Sequence, residues 1–144
     1  MNIPVDITKV HPDAKIPEYK TSGACAFDLA PVEDAVIQPG EIKGLRSGLV
    51  IKVPEGFVLL IVSRSSTPKK YKLTIPQAVG IVDNDFCGPT DELLLVLHNF
   101  GTEPVEIKKG RRLCQGLFVP VAIAQFQETA GHDAPNRGGW GSTG

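Results

Sequence analysis

A short polar segment, Ser63-Arg64-Ser65-Ser66, directly follows the apolar run at residues 57–62. At the end of a strand the backbone N–H groups face outward, and hydroxyls beside a guanidinium suit the oxygens of a phosphate group. Further cations follow at Lys69, Lys70 and Lys72 and add positive potential. The segment therefore predicts a phosphate-binding strand end, with an ordinary polar strand-to-turn junction as the alternative.

An acidic turn at residues 80–88 reads G-I-V-D-N-D-F-C-G. Its bounding glycines and central acids predict a hairpin tip whose backbone is open to close approach by a ligand. Asp83 follows the apolar residues Ile81 and Val82, so we expect its carboxylate to be partly desolvated and suited to accept a proton or orient water. A plain Asp/Asn turn is the alternative.

The last eight residues, R-G-G-W-G-S-T-G at 137–144, contain four glycines and the only tryptophan. Ordering a residue costs about 1–2 kcal/mol and glycine loses the most freedom, so this segment cannot fold alone. Trp140 suits a flat ring and Arg137 suits an anion, and a nucleotide carries both. We expect a flexible, glycine-rich C-terminal arm at residues 129–144 that orders on a nucleotide; a frayed terminus is the alternative.

Short strands are the elements that must position these residues. Apolar runs recur between prolines and glycines, and no window sustains helical periodicity, which predicts an all-β sandwich or barrel. The predicted strands cover residues 35–37, 49–53, 57–62, 93–97, 105–107, 113–119 and 123–127. One short helix is predicted at 66–71, where Pro68 fits the first turn, and turns are predicted at 39–40, 54–56 and 109–110.

Length and composition bound the class of protein. The 144 residues, 42% hydrophobic and 22% charged, are the size of one domain, which we place at residues 1–128 before the arm. A net charge of −1 argues against a nucleic-acid coat protein. Residues 1–10 lack the apolar core of a signal peptide, and the run at 57–62 is too short to cross a bilayer. We expect a cytoplasmic protein with neither a nucleic-acid nor a membrane partner.

The cysteines and histidines argue against two other kinds of site. Three cysteines, Cys25, Cys87 and Cys114, cannot all pair, and free thiols in a reducing compartment are expected. The three histidines are scattered singly, so a zinc site built from protein ligands has little support.

Five segments, in order along the chain, resemble the five motifs of the trimeric dUTPases (dUTP nucleotidohydrolases). They are A-C-A-F-D-L at 24–29, R-S-S at 64–66, the acidic turn at 80–88, G-R-R-L-C-Q at 110–115 and the arm residues 137–144. Each motif alone is weak, whereas five in order are specific. The resemblance covers nearly the whole chain and implies a homotrimer of distorted jelly-roll (β-clip) domains with active sites at the subunit interfaces.

The resemblance also implies how such a site recognises and cleaves dUTP. The backbone of Gly80, Ile81 and Val82, with Gln77 beside it, would bind uracil and reject cytosine, whose donor and acceptor are reversed. Phe86 would lie under the deoxyribose and exclude a 2′-hydroxyl. Asp83 would activate the water that attacks the α-phosphorus, giving dUMP and pyrophosphate, which keeps uracil out of DNA and supplies dUMP for thymidylate synthesis.

Further roles implied by the resemblance concern the phosphates. The residues that would hold them are Arg64, Ser65, Ser66 and Gln115. Asp28 would reach Mg²⁺ through water, and Mg²⁺ neutralises charge on the triphosphate. The arm would close over a neighbour's site with Trp140 on uracil and Arg137 on the γ-phosphate, and Ser142 and Thr143 beside the substrate.

The chain departs from the family pattern at four places. Phe86 replaces the usual tyrosine, which keeps a steric wall and removes a hydroxyl. Gln77 stands where asparagine is typical, residues 89–91 look like an insertion, and the arm is two residues short between Arg137 and Trp140.

Two alternative functions remain beside dUTP hydrolysis. The related dCTP deaminases, or a bifunctional relative, need a glutamate in the strand after the acidic turn to shuttle protons. That strand, residues 93–99, has an apolar middle, and the nearby acids Asp91 and Glu92 fall at its start. A non-catalytic jelly-roll trimer acting as a binding or structural module is the other alternative.

Overall fold

Short strands form almost all of the regular structure in the computed structural model, which describes residues 2–143; Met1 and Gly144 lie outside the described residues. The elements are β1 (Asp6–Lys9), β2 (Phe27–Leu29), β3 (Ala35–Ile37), β4 (Ile42–Arg46), β5 (Leu49–Lys52), β6 (Phe57–Ser63), α1 (Ser66–Tyr71), β7 (Leu73–Thr74), β8 (Gly80–Val82), β9 (Leu94–Asn99), β10 (Val105–Ile107) and β11 (Cys114–Pro120). The predicted all-β class is confirmed.

Every strand pairing is antiparallel, and most pairs are distant in sequence. A four-stranded sheet has the order β2-β11-β6-β8, and a three-stranded sheet has the order β4-β9-β7. Two further pairs, β1 with β5 and β3 with β10, complete the strands. The longest pairing joins β11 to β6 from Cys114 opposite Ser63 to Pro120 opposite Phe57. These crossed, antiparallel connections fit the expected distorted jelly roll.

Alternating apolar side chains from the sheets form one core. Leu59 and Ile61 of β6 and Leu95 and Leu97 of β9 point inward and are at most 3% exposed. Each such side chain stabilises the fold by about 1.5–3 kcal/mol when fully buried. At Gly116 of β11 an added Cβ would lie 2.7 Å from the Phe27 ring, so the core leaves no room for a side chain there.

The predicted helix and turns are where the sequence places them. Helix α1 spans Ser66–Tyr71 with Pro68 in its first turn, and it ends at Lys72 in the left-handed conformation. The turns at 39–40, 54–56 and 109–110 have Gly40, Gly56 and Gly110 at φ between 75° and 78°, which favours glycine. Within residues 2–143 no helix has the length and apolar character needed to cross a membrane.

The prediction of a strand at 123–127 is wrong for the single chain. The last strand ends at Pro120, and residues 121–143 are exposed. Ile123 is 89% and Phe126 is 96% exposed, so the strand-forming side chains are present but no strand within residues 2–143 pairs with them. A strand needs a hydrogen-bonding neighbour, and sequence preference alone does not supply one.

Candidate active site

The predicted phosphate-binding residues meet because β11 lies between β2 and β6. Asp28 of β2 is directly opposite Gln115 of β11, and Gln115 is opposite Val62 of β6. Arg64 follows the end of β6 and its backbone N–H donates to the Leu113 carbonyl at 3.1 Å. Three sequence segments separated by long connections therefore share one sheet end.

The Asp28 carboxylate is held between two arginines. Its Oδ1 lies 2.8 Å from Nε of Arg64, and its Oδ2 lies 2.7 Å from Nη1 of Arg112. Arg64 Nη1 also donates to the Arg112 carbonyl at 3.2 Å. The Asp28 side chain is only 14% exposed, so this single anion pairs with both cations at the sheet end and fixes how they point. From the sequence, Asp28 is predicted to contact Mg²⁺ through water, and Arg112 is not predicted as a site residue.

The start of helix α1, beside the two arginines, has two exposed serine hydroxyls and one buried threonine. Ser65 caps α1 without a side-chain hydrogen bond, and the hydroxyl-bearing residues Ser65 and Ser66 are exposed. Thr67 is fully buried and donates from its hydroxyl to the Leu113 carbonyl at 2.8 Å, which anchors the helix start to β11. Gln115 donates from Nε2 to the Ser63 carbonyl at 3.2 Å. Helix and strand thereby hold the hydroxyls beside the arginines.

A basic cleft of about 370 Å³ opens at this sheet end. Its lining includes the predicted residues Arg64 and Ser66. Further cations line it at Lys70, Lys108, Lys109, Arg111 and Arg112. Lys70 and Arg111 each approach the Tyr71 ring, at 5.5 and 5.8 Å from its centroid. The cleft has the charge and hydroxyl content that phosphate oxygens require.

Two carboxylates outside the cleft hold the turn that carries Lys109. The Lys109 side chain lies 2.9 Å from Asp13, and its backbone N–H donates to Asp34 at 2.8 Å. Hydrogen bonds from Lys109 hold the pKa of both carboxyls below their ordinary value, and Asp34 is lowered further by Lys108. The same pairing raises the pKa of the Lys109 ammonium.

The predicted base- and sugar-binding residues line a separate cleft of about 290 Å³. The structure brings together there all of the expected set, namely Gln77, Gly80, Ile81, Val82, Asp83 and Phe86. Strand β8 is at the edge of its sheet and pairs only with β6. Its other edge therefore has backbone donors and acceptors that no strand within residues 2–143 pairs with.

Two expectations about the acidic turn are wrong. Asp83 is exposed rather than partly desolvated, because Ile81 is 67% exposed and only Val82 is buried. The turn is also not the tip of a β-hairpin: β8 pairs with β6, whereas the next strand, β9, belongs to another sheet. Alternation along an edge strand turns Ile81 outward, which the apolar run alone does not reveal.

The predicted insertion at residues 89–91 forms a local turn with Gly88. Asp91 accepts a hydrogen bond from the Gly88 N–H at 2.7 Å, and its own N–H donates to the Gly88 carbonyl at 3.1 Å. The Gln77 side chain lies over Gly80, where an added Cβ would be 3.7 Å from Nε2. The glutamine at this position therefore places an amide beside β8, the strand predicted to bind the base.

The two clefts share no lining residue, and the arm reaches neither. Trp140 is fully exposed, and Arg137, Ser142 and Thr143 are also exposed. Gly144, the last residue of the fifth motif, lies outside the described residues. The chain thus presents three separate parts of the predicted site: a basic sheet end, an edge-strand cleft and an exposed arm.

The strand order and antiparallel pairing define an all-β protein of the jelly-roll (β-clip) class. A family model described as dUTPase matches residues 12–144, so the chain belongs to the dUTPase family. A deoxyuridine 5′-triphosphate nucleotidohydrolase of Helicobacter pylori is 34% identical over 142 residues, which cover 97% of this chain and 96% of the relative.

Solved structures agree with the fold. A dUTPase from Streptococcus mutans has a TM-score of 0.76 and 26% identity, covering 83% of this chain and 98% of the other. A mutant dUTPase of Staphylococcus bacteriophage 80alpha, solved with dUpNHpp, has a TM-score of 0.89 and 20% identity, covering 99% of both chains. The second likeness concerns the fold alone.

Proposed function

We propose that this protein hydrolyses dUTP to dUMP and pyrophosphate, keeping uracil out of DNA and supplying dUMP for thymidylate synthesis. The observation that carries the proposal is the edge-strand cleft, in which Asp83 lies beside the β8 backbone and the Phe86 ring. The family membership and the name of the Helicobacter relative support the substrate.

Uracil is read by the free edge of β8. Pairing with β6 fixes Gly80 opposite Ile61 and Val82 opposite Leu59, so the outward N–H and C=O groups have rigid positions. Uracil presents an acceptor at O4 and a donor at N3, and cytosine reverses both. Fixed backbone dipoles that fit uracil would be left unpaired against cytosine, which is the costly outcome that gives discrimination. An added Cβ at Gly80 would lie 3.2 Å from Cβ of Ile61, so close packing against β6 favours glycine at this position.

Phe86 supplies the wall against a ribose. Its ring is 42% exposed and lines the same cleft as Asp83. An apolar ring under the sugar offers a 2′-hydroxyl neither space nor a hydrogen-bond partner. The tyrosine hydroxyl that Phe86 lacks is not needed for this exclusion.

Asp83 acts as the general base. Its carboxylate follows β8, at the end of the base-reading strand, and takes a proton from the water that attacks the α-phosphorus. The oxygen of that water forms the new bond to phosphorus, and pyrophosphate leaves with the electrons of the broken bond. Because Asp83 is exposed in the single subunit, a neighbouring subunit must cover it to exclude bulk water.

Arg64, Ser65, Ser66 and Gln115 hold the phosphates at the basic sheet end. The ion pair with Asp28 takes Nε of Arg64 and the Arg112 carbonyl takes Nη1, which leaves Nη2 for a phosphate oxygen. The exposed hydroxyls next to it complete a charge-assisted binding group.

A homotrimer completes the site, because the base and phosphate clefts of one subunit have no lining residue in common. The exposed segment 121–127 supports exchange between subunits, and a groove of about 1090 Å³ beside β1 and β11 has apolar lining from Ile7, Phe27 and Phe118. The arm then closes over a neighbour's substrate, with Trp140 on uracil, Arg137 on the γ-phosphate, and Ser142 and Thr143 beside it.

Mg²⁺ is the cofactor in this proposal. Within residues 2–143 no three His, Cys, Asp or Glu side chains group as metal ligands, so the residues fit a cation that arrives on the triphosphate rather than one caged by protein. Asp28 keeps acceptor capacity beyond its two ion pairs and would hold waters of that cation. When bound, Mg²⁺ neutralises charge on the phosphates.

The environment of Glu92 argues against dCTP deamination. Glu92 is the nearest acid to the strand position a deaminase needs, and both of its oxygens accept hydrogen bonds from Arg46, at 3.0 and 3.3 Å. A carboxylate committed to a guanidinium is not available to shuttle protons at a pyrimidine ring. We place the enzyme in the cytoplasm, since free thiols such as the exposed Cys25 persist in a reducing compartment.

Side-by-side turnover of dUTP, dCTP, dTTP and UTP, with and without Mg²⁺, tests the proposal. We expect pyrophosphate from dUTP only; ammonia from dCTP would establish a deaminase, and no product from any nucleotide would establish a binding module. Asp83→Asn should keep fold and nucleotide binding while turnover falls about 10²–10⁴-fold, the usual range for a general base. Asn84→Ala in the same turn is the control.

A further inference from the structure

Glu92 is a second carboxylate that lines the edge-strand cleft. It forms an ion pair with Arg46 at the end of β4. Its side chain is 15% exposed, and it lines the cleft with Asp83 and Phe86. Besides the two contacts with Nε of Arg46, its Oε1 accepts the backbone N–H of Gly48 at 2.7 Å. The carboxylate thus accepts from two N–H donors, the Nε–H of Arg46, which is shared between both oxygens, and the backbone N–H of Gly48.

Arg46 joins this cleft residue to an acid outside the cleft. Its Nη1 lies 3.2 Å from Glu33, whose side chain is 53% exposed. Pairing with Glu92, and to a smaller extent with Glu33, raises the pKa of Arg46 above its ordinary value. The two acids therefore share one arginine, and only one of them lines the site.

The strand that follows Glu92 is attached independently of this ion pair. The Leu93 N–H donates to the Leu49 carbonyl at 2.8 Å, and the Ser47 N–H donates to the Leu93 carbonyl at 3.3 Å. Leu93 itself is 7% exposed in the core. Loss of the Glu92 contacts would leave β9 in place.

The acidic turn before Glu92 has only local hydrogen bonds. Phe86 and Cys87 donate from their N–H groups to the Asp83 and Asp85 carbonyls at 3.4 and 3.0 Å. Asp91 bonds only to Gly88, as described above. Within the described residues, Glu92 is the first residue after Val82 that forms hydrogen bonds with a distant part of the chain.

We propose that Glu92 and Arg46 are positioning residues. They fix the part of the acidic turn that follows β8, residues 83–88, and with it the side chains of Asp83 and Phe86. The inference rests on the proposed function for what the turn does, and on the contacts above for how it is held. A misplacement of about 1 Å at a reacting group costs about 10²-fold in rate, so a remote anchor has a measurable effect on turnover.

Three variants separate positioning from stability. Glu92→Gln keeps the shape but loses the charge, Arg46→Lys replaces a forked guanidinium with a point charge, and Glu33→Gln is the matched control on the same arginine. Hydrogen exchange of the Phe86, Cys87 and Gly88 amides, which donate the hydrogen bonds of the turn, is measured in the ligand-free protein. We expect at least about tenfold faster exchange there in the first two variants, with unchanged exchange in β9, and wild-type behaviour in the control.

Steady-state kinetics with dUTP give the second measurement. We expect kcat/KM to fall about tenfold or more in Glu92→Gln and Arg46→Lys, and selectivity for dUTP over UTP to fall with it. The double variant should be no worse than either single one, because both break the same contact. Equal effects in Glu33→Gln, or exchange that rises throughout β4 and β9, would overturn the proposal. If the wild type does not hydrolyse dUTP, the proposed function fails, and the exchange data still decide whether the pair positions the turn.

Discussion

Asp28 and Arg64 form an ion pair of 2.8 Å across the end of β11, although they lie on either side of that strand in the sheet order β2-β11-β6. Arg112, which precedes β11, binds the other oxygen of the same carboxylate at 2.7 Å. One anion therefore sets the direction of two guanidinium groups at the sheet end. In a phosphate-binding site this is preorganisation, because the cations are oriented before the substrate arrives.

Asp28→Asn should lower kcat/KM for dUTP about tenfold or more while the protein remains folded. An amide has no negative charge to pair with the two arginines, so Arg64 loses its fixed direction. The fold should tolerate the change because Arg64 and Arg112 keep access to water, with side-chain exposures of 31% and 47%. Steady-state kinetics and thermal unfolding measure the two effects. Glu18→Gln, which removes an exposed carboxylate whose one ion pair within residues 2–143 is with Lys20, is the control. Wild-type kinetics in Asp28→Asn would contradict the orienting role.

Phe86→Ala should raise hydrolysis of UTP relative to dUTP. The ring is proposed as the wall under the sugar, whereas the base is read by the β8 backbone, so discrimination against dCTP should persist. Phe100→Ala removes an aromatic side chain that is 48% exposed and outside the cleft, and it controls for loss of apolar surface. Turnover of dCTP without any gain in UTP turnover would mean that Phe86 helps to read the base.

Removal of residues 137–144 should abolish most turnover and leave the melting temperature within about 2 °C, because a change below 1 kcal/mol moves it little. The described part of this segment is exposed and contributes nothing to the core. Trp140 is the only tryptophan, so its fluorescence reports arm closure.

The fluorescence change should be larger with dUpNHpp and Mg²⁺ than with dUMP, which lacks the phosphates that Arg137 would bind. An equal response to both ligands would show that Trp140 stacks without the arginine contact. That result would follow if the two residues missing between Arg137 and Trp140 keep them from acting together.

Asp34→Asn should make the melting temperature less sensitive to acid. The folded protein lowers the pKa of Asp34 from 3.8, chiefly through the Lys109 N–H, so the unfolded chain takes up a proton first as pH falls. The stability from this carboxylate is complete above about pH 5 and is lost as pH falls through the lowered value. The wild type should therefore lose more between about pH 6 and pH 3 than Asp34→Asn.

Glu55→Gln is the control for that experiment, since Glu55 is exposed and forms no ion pair within residues 2–143. A wild-type acid response in Asp34→Asn would show that the contact with Lys109 contributes nothing to folding.

Much of the architecture follows from local sequence. The predicted strands at 35–37 and 105–107 agree with β3 and β10 at both ends, and the predicted helix agrees with α1. The turns also follow, because Pro-Gly and Lys-Gly pairs fix backbone angles within a few residues. The five segments that resemble the dUTPase motifs are equally local, so family membership also follows from the order of residues along the chain.

Contacts between distant segments were decided only by the tertiary structure. Asp28 and Arg112 are 84 residues apart, and Arg46 and Glu92 are 46 apart, and nothing in either sequence neighbourhood names its partner. The apolar segment at 123–127 has strand-forming residues but no strand, because pairing requires an available edge. Backbone preference is set by neighbouring residues, whereas strand order and ion-pair partners are set by how the sheets pack around one core.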